Sequence, residues 1–251
     1  MENKNDAAVI GSKQAPFLNS LAASCASATN FVDDGIHPSL PNYIAATSGD
    51  RQGIADDGLP ASHQLDVDNI FRQVRATGST AKSYVESMPK NCSLVSTARY
   101  AAKHNPAAYY VGADDRAACA RDDVPFDQFA ADLAAGLPAF AFVTPDICND
   151  MHDCSVATGD AWLRTQVGLI TASPAYRSGS TALFITFDES ESHGQAAIPF
   201  VAVLPTVVAG TTSGVRLDHY SLLAFTEDAL GISTHLGHAA GAASLAGALG
   251  L

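Results

Sequence analysis

Short apolar runs and longer stretches with a single apolar face take turns along this chain, most regularly from Phe126 onward. A helix spanning roughly Phe126 to Ala135 precedes the apolar run Leu137–Val143. A polar loop from Thr144 to Gly159 leads to a helix from about Asp160 to Ala172, and then to the run Thr181–Phe187. A further strand is expected near Phe200–Leu204 and an amphipathic helix around Ser221–Leu230. In the first half, helical patterns cover Pro16–Ala28 and Val67–Gly78, the second with Ile70, Phe71 and Val74 on one face. Continuous apolar strands alternating with helices predict an α/β fold, a three-layer sandwich around a mainly parallel central sheet. In such sheets ligands sit beyond the carboxyl ends of the strands, which is where the unusual polar residues of this sequence fall. Residues 50–125 are the least regular. They read as a loop-rich elaboration around a site, within a single domain spanning 1–251. The tail Ala239–Leu251 reads as a weak helix or a frayed end.

The stretch Gly35–Gly49, GIHPSLPNYIAATSG, breaks its apolar lead-in at His37-Pro38-Ser39 and then offers a helix opened by Pro41. Proline suits a first helical turn, where its missing N–H costs nothing. Ser39 is therefore expected just ahead of a helix N-terminus, where free N–H groups and the dipole favour an anion such as phosphate. A serine in that place is either a cap or a nucleophile.

The chain has 251 residues, 47% of them hydrophobic, enough for a substantial core. Its net charge of −12, from 14 Lys+Arg against 26 Asp+Glu, argues against nucleic acid or an anionic membrane as a non-specific partner. No apolar run approaches the ~18 residues of a membrane-spanning helix, and no signal peptide opens the sequence. Cys148 and Cys154 bracket one polar loop and Cys92 and Cys119 another, with Cys25 left over. Two disulfides and a spare thiol suit an exported protein, secreted or periplasmic, whereas five reduced thiols would suit a cytosolic one.

Asp188 and Glu189 directly follow the strand ending at Phe187. Adjacent carboxylates there repel unless a cation or strong donors offset them; hard oxygen ligands suit Ca²⁺, Mg²⁺ or Mn²⁺, and the alternative is a helix cap followed by a solvated Glu. The loop Thr144–Cys154 holds three acids, an Asn and His152, with Asn149, Asp150, His152 and Asp153 between its cysteines. His104, in His104-Asn105-Pro106, and His219, ahead of a helix, are ordinary on local grounds. Glu2-Asn3 looks like a loose terminus.

Taken in order, MENK, HPSLPNYIAATSG, YVESMP, HNP, NDMHDC, FITFDE and DHYSLL resemble the phosphoesterase family of bacterial phospholipase C and acid phosphatase enzymes. That family is part of the alkaline-phosphatase-like superfamily, and the likeness runs over essentially the whole chain. The resemblance implies an α/β fold and a metal-dependent hydrolase of phosphate esters working through a serine nucleophile, Ser39. It implies one divalent metal ion (Ca, Mg, Mn or Zn) held by Glu2, Asn3, Asp188 and Glu189. His104, His152 and His219 would surround the phosphate of a small phosphorylated substrate or phospholipid head group. In the family the Glu-Asn pair ends a hydrophobic strand. This sequence starts at Met1, so the first core strand is expected to be missing. The alternative function is then an inactive, truncated homologue serving only as a binding module. A sulfatase is disfavoured, because no C/S-x-P-x-R context occurs.

Overall fold

The computed structural model describes residues 1–191 and 196–251. Its strands are β1 (Ala26–Ala28), β2 (Phe31–Val32), β3 (Ala81–Val85), β4 (Asp123–Pro125), β5 (Phe140–Thr144), β6 (Leu183–Thr186), β7 (Phe200–Val203), β8 (Thr211–Ser213) and β9 (Leu217–Asp218). The helices are α1 (Asp6–Val9), α2 (Pro16–Ser24), α3 (Ser39–Ser48), α4 (Ile70–Ala76), α5 (Asp115–Asp122), α6 (Phe129–Ala135), α7 (Val156–Ala172), α8 (Pro174–Arg177), α9 (His219–Ala229) and α10 (Leu245–Leu249). The chain divides into two compact units. One comprises Met1–Ile36, Cys148–Asp218 and Ala243–Leu251, the other His37–Ile147 and His219–Ala242.

The first unit is built on a four-stranded sheet in the order β6-β7-β1-β8, with β2 and β9 paired beside it. β7 runs antiparallel to β6 and β1, whereas β1–β8 and β2–β9 are parallel. All four residues of β7 are buried, as its unbroken apolar run requires for an inner strand. Along the other edge of β6 the Met1 nitrogen donates to Thr186 O at 3.2 Å, and the Asp188 N–H donates back to Met1 O at 3.0 Å. That alternation is a parallel register. It lays Glu2 and Asn3 next to the strand end that carries Asp188. Helix α7 packs on α2, and buried Asp160 of α7 accepts from the Phe17 and Leu18 N–H groups at 3.0 and 2.8 Å. A carboxylate thus satisfies the orphan donors of the first turn of α2.

The second unit carries the parallel sheet β4-β3-β5. The register runs Ser83↔Asp123 to Val85↔Pro125 on one side and Ala81↔Phe140 to Val85↔Thr144 on the other. Its main core gathers Leu40 and Ile44 of α3, Ile70, Phe71 and Val74 of α4, Tyr109 and Tyr110, and Leu223 of α9. Asn69 caps α4 by accepting the Arg72 N–H at 3.0 Å. Gly49 ends α3 at φ 76°, where a Cβ would stand 2.2 Å from Leu236 O. A left-handed turn pressed against another backbone admits only glycine.

Four of the six ladders among the described residues are parallel. The α/β class with parallel sheets holds. Several boundaries differ from expectation. The helix expected over Pro16–Ala28 stops at Ser24, and Ala26–Ala28 crosses the sheet as β1. Between two partner strands, hydrogen bonding outweighs the modest helix preference of alanine. α7 begins at Val156 because Ser155 caps it, accepting the Thr158 N–H at 3.2 Å. Residues 50–125 lie in the second unit and supply α4, β3, α5 and β4 in addition to loops.

Candidate active site

In the first unit, main-chain N–H groups fasten the segment Glu2-Asn3 to the Asp150 loop and to the side chain of Asp188. Glu2 N–H donates to Asp150 O at 2.8 Å, and Asn3 N–H donates to Asp188 Oδ1 at 3.1 Å. Ser190 N–H donates to Asp33 Oδ2 at 2.8 Å, and the other oxygen of Asp33 accepts from Gly35 N–H, also at 2.8 Å. Glu2, Asp33, Asp150, Asp188 and Glu189 are all buried. Lys4, alongside, is engaged by Glu191 at 2.7 Å and by Asn3 O at 3.0 Å. Asn3 adopts φ 48°, and its Oδ1 is buried with no hydrogen-bond partner.

A buried carbonyl oxygen without a donor is costly, and the main chain of the same residue already donates to the buried carboxyl of Asp188. These are hard oxygen donors of the type that divalent Ca, Mg or Mn prefers. The residues present fit the expected metal ion. Asp33 and Asp150, absent from the sequence-derived set, belong to the same neighbourhood. Each follows a strand or its loop, as Asp188 does, and that placement was the available signal.

His152 is held in the same unit. The disulfide Cys148–Cys154 closes its loop with a Cα separation of 4.7 Å. Its N–H donates to Asp150 Oδ1 at 2.7 Å, and its Nδ1 pairs with Asp153 Oδ1 at 2.6 Å. A ligand atom of Glu2 and one of His152 lie within 4.8 Å of each other.

Ser39, His104 and His219 belong to the second unit. Pro38 takes the N-cap position of α3, so Ser39 is its first helical residue rather than the residue before it. The proline offers no capping side chain, and Ser39 is buried within the positive end of the helix. The neighbouring Leu40 N–H donates to Asp57 Oδ1 at 3.0 Å, and Asp57 is tied to Lys103 at 2.7 Å. His104 closes a 3₁₀ turn and lies flat against Tyr43 of α3, with ring centroids 5.4 Å apart. Its carbonyl accepts from Thr144 Oγ1 at 3.2 Å. One helix therefore presents both Ser39 and the ring that backs His104. Buried His219 opens α9, which packs on α3. The second bridge, Cys92–Cys119, closes in this unit with a Cα separation of 5.2 Å, and Cys25 is free.

The fold places the chain in a known class. It resembles the structure of a protein in the alkaline phosphatase superfamily from Vibrio parahaemolyticus, with a TM-score of 0.65 at 13% identity, covering 92% of this chain and 65% of that one. The chain belongs to the Phosphoesterase family, whose sequence profile matches residues 8–233. Among curated relatives, a phosphatidylinositol-3-phosphatase of Mycobacterium tuberculosis is 34% identical over 234 residues, 92% of this chain and 75% of that protein. An acid phosphatase of Aspergillus fumigatus is 31% identical over 204 residues, 75% of this chain and 44% of that protein. The chain thus spans less than half the length of that fungal relative. By their names these relatives are phosphoric ester hydrolases, and hydrolase is the class of the family.

Proposed function

We propose that this chain is a metal-dependent phosphatase that cleaves phosphate monoesters through Ser39, working as a single phosphoesterase domain. The observation that carries the reading is the orphaned, buried Oδ1 of Asn3, a residue that follows buried Glu2 and whose N–H donates to buried Asp188. The relatives named phosphatases support a monoester over a diester substrate. The phosphate is carried by a small molecule or by a lipid head group. Two disulfides support an exported, secreted or periplasmic protein, and among the described residues no helix is long and apolar enough to cross a membrane.

Glu2, Asn3, Asp188 and Glu189 would hold one divalent cation, which when bound neutralises phosphoryl oxygens and lowers the pKa of a nearby hydroxyl. Ser39 Oγ, its proton given up to water, attacks phosphorus in line. An Oγ–P bond forms as the bond from phosphorus to the leaving oxygen breaks, and the positive end of α3 favours the negative charge gathered there. The departing oxygen takes a proton from a histidine, His104 or His152, with His219 as a further member of the phosphate surround. Water then attacks the phosphoserine, regenerating the hydroxyl and releasing inorganic phosphate.

Removing the metal tests the cation directly. Protein stripped by a chelator, with its metal content measured, should lose p-nitrophenyl phosphate hydrolysis and regain it on addition of one divalent ion. Stripped protein that turns over at the parent rate would overturn metal dependence.

A further inference from the structure

The motif His104-Asn105-Pro106 contains a second residue with its own apparatus, lying wholly in the second unit. Asn105 is fully buried and stands between two 3₁₀ turns, Ala102–His104 and Pro106–Ala108. Its Nδ2 donates to Asp123 Oδ2 at 2.9 Å and to Tyr100 Oη at 3.1 Å, and its Oδ1 accepts from Ser83 Oγ at 3.5 Å. Met88 Sδ lies 3.6 Å from the same nitrogen. Tyr100 Oη in turn donates to Ser93 O at 2.5 Å. Asp123 starts β4, and its carbonyl accepts the N–H of Cys92, one half of the Cys92–Cys119 bridge, at 3.0 Å.

The amide is therefore fastened to β3, to β4 and to the loop at Tyr100, all on the side away from solvent. Burial pushes the Asp123 carboxyl up to about 7 even with the Asn105 donor opposing the shift. A polar knot of this kind in an apolar interior costs free energy that a hydrophobic pair would not. Its return is conformational definition, since it fixes residue 105 and hence the orientation of the turn ending at residue 104. On the other face, Tyr43 stacks on the His104 ring and Thr144 holds its carbonyl. With both amide hydrogens and its oxygen engaged by Asp123, Tyr100 and Ser83, Asn105 acts behind the histidine rather than on substrate.

We infer that Asn105, anchored by Asp123, Tyr100 and Ser83, is a positioning residue for His104, setting the turn from which the imidazole meets the phosphate. The inference rests on the reading of His104 given under Proposed function.

A double-mutant cycle tests it. kcat and KM for p-nitrophenyl phosphate are measured for the parent, Asn105→Ala, His104→Ala and the double variant, well below each thermal midpoint. His104→Ala is expected to lower kcat about 10²-fold, and Asn105→Ala about tenfold with KM little changed. The double variant should match His104→Ala alone, because a residue acting through the imidazole has nothing left to position. The exchange Asn105→Asp with Asp123→Asn, which reverses donor and acceptor, should recover kcat relative to Asn105→Asp alone. If Asn105→Ala does not fold, Tyr100→Phe deletes one anchor with little change of volume and carries the same cycle.

An equal fall of kcat when Asn105 is replaced in either background would overturn the inference, as would a loss of thermal stability with kcat unchanged. A His104→Ala protein at the parent kcat would instead sink the role of His104 itself, and the inference with it.

Discussion

Asn3 shows how one residue can be opaque in sequence and informative in structure. Two residues from the first Met, nothing local distinguishes it, and only the ordered motifs pointed to it. In the fold its left-handed backbone, which asparagine tolerates better than most residues, turns a buried amide oxygen into a group that lacks a donor. Asn3→Gly keeps that backbone conformation available and removes the oxygen. We expect the metal concentration for half-maximal activity to rise roughly tenfold or more, with the thermal midpoint of metal-stripped protein unchanged or higher. Unaltered metal dependence in Asn3→Gly would remove the residue from the ligand set. Ser39 was legible for a different reason: the Pro38 and Pro41 flanks announce a helix start. The sequence reading placed Ser39 one residue outside α3, because proline was not expected to occupy the cap itself. Asp33 escaped notice because β2 is only two residues long, too short to show a strand period.

At the level of elements, the long apolar runs were readable and the short strands were not. β5, β6 and β7 and helices α4, α6, α7 and α9 follow from periodicity. β1, β8 and β9 are two or three residues each and exist through pairing with partners distant in sequence. The tie between α4 and the segment that follows α9 is of the same long-range kind. Gln73 Nε2 donates to Thr234 O at 2.8 Å, which leaves its oxygen as the unsatisfied atom. Glu227 of α9 accepts the Leu236 N–H at 2.9 Å through one oxygen, and its other oxygen has no partner. Burial raises the Glu227 carboxyl above its usual range, opposed by Leu236 N–H, the His235 ring and Gln73, while Asp228 adds to the rise.

A raised acid holds its proton longer in the folded than in the unfolded chain. Its contribution to stability is complete below the unfolded value near 4.5 and is lost as pH rises through the folded value. Glu227→Gln, which keeps the acceptor and adds an amide donor toward Gln73, should escape this loss. Unfolding free energies of the variant and parent, from denaturant titrations, should agree near pH 4 and separate upward from there, by about 1 kcal/mol at neutral pH. A variant less stable than the parent at neutral pH would show that the fold favours the ionised carboxyl and that its pKa is not raised.

On the scale of the molecule, family and fold class were accessible together because the ordered motifs run over essentially the whole chain. The two disulfides expected from cysteine spacing both form. The account as a whole stands on Ser39 as the group that receives the phosphoryl. Acid quenching during p-nitrophenyl phosphate turnover, followed by peptide mass spectrometry, measures this most directly. The account predicts a phosphate adduct on the peptide bearing Ser39, and neither adduct nor turnover in Ser39→Ala at a thermal midpoint close to the parent's. Turnover by Ser39→Ala near the parent rate would contradict it.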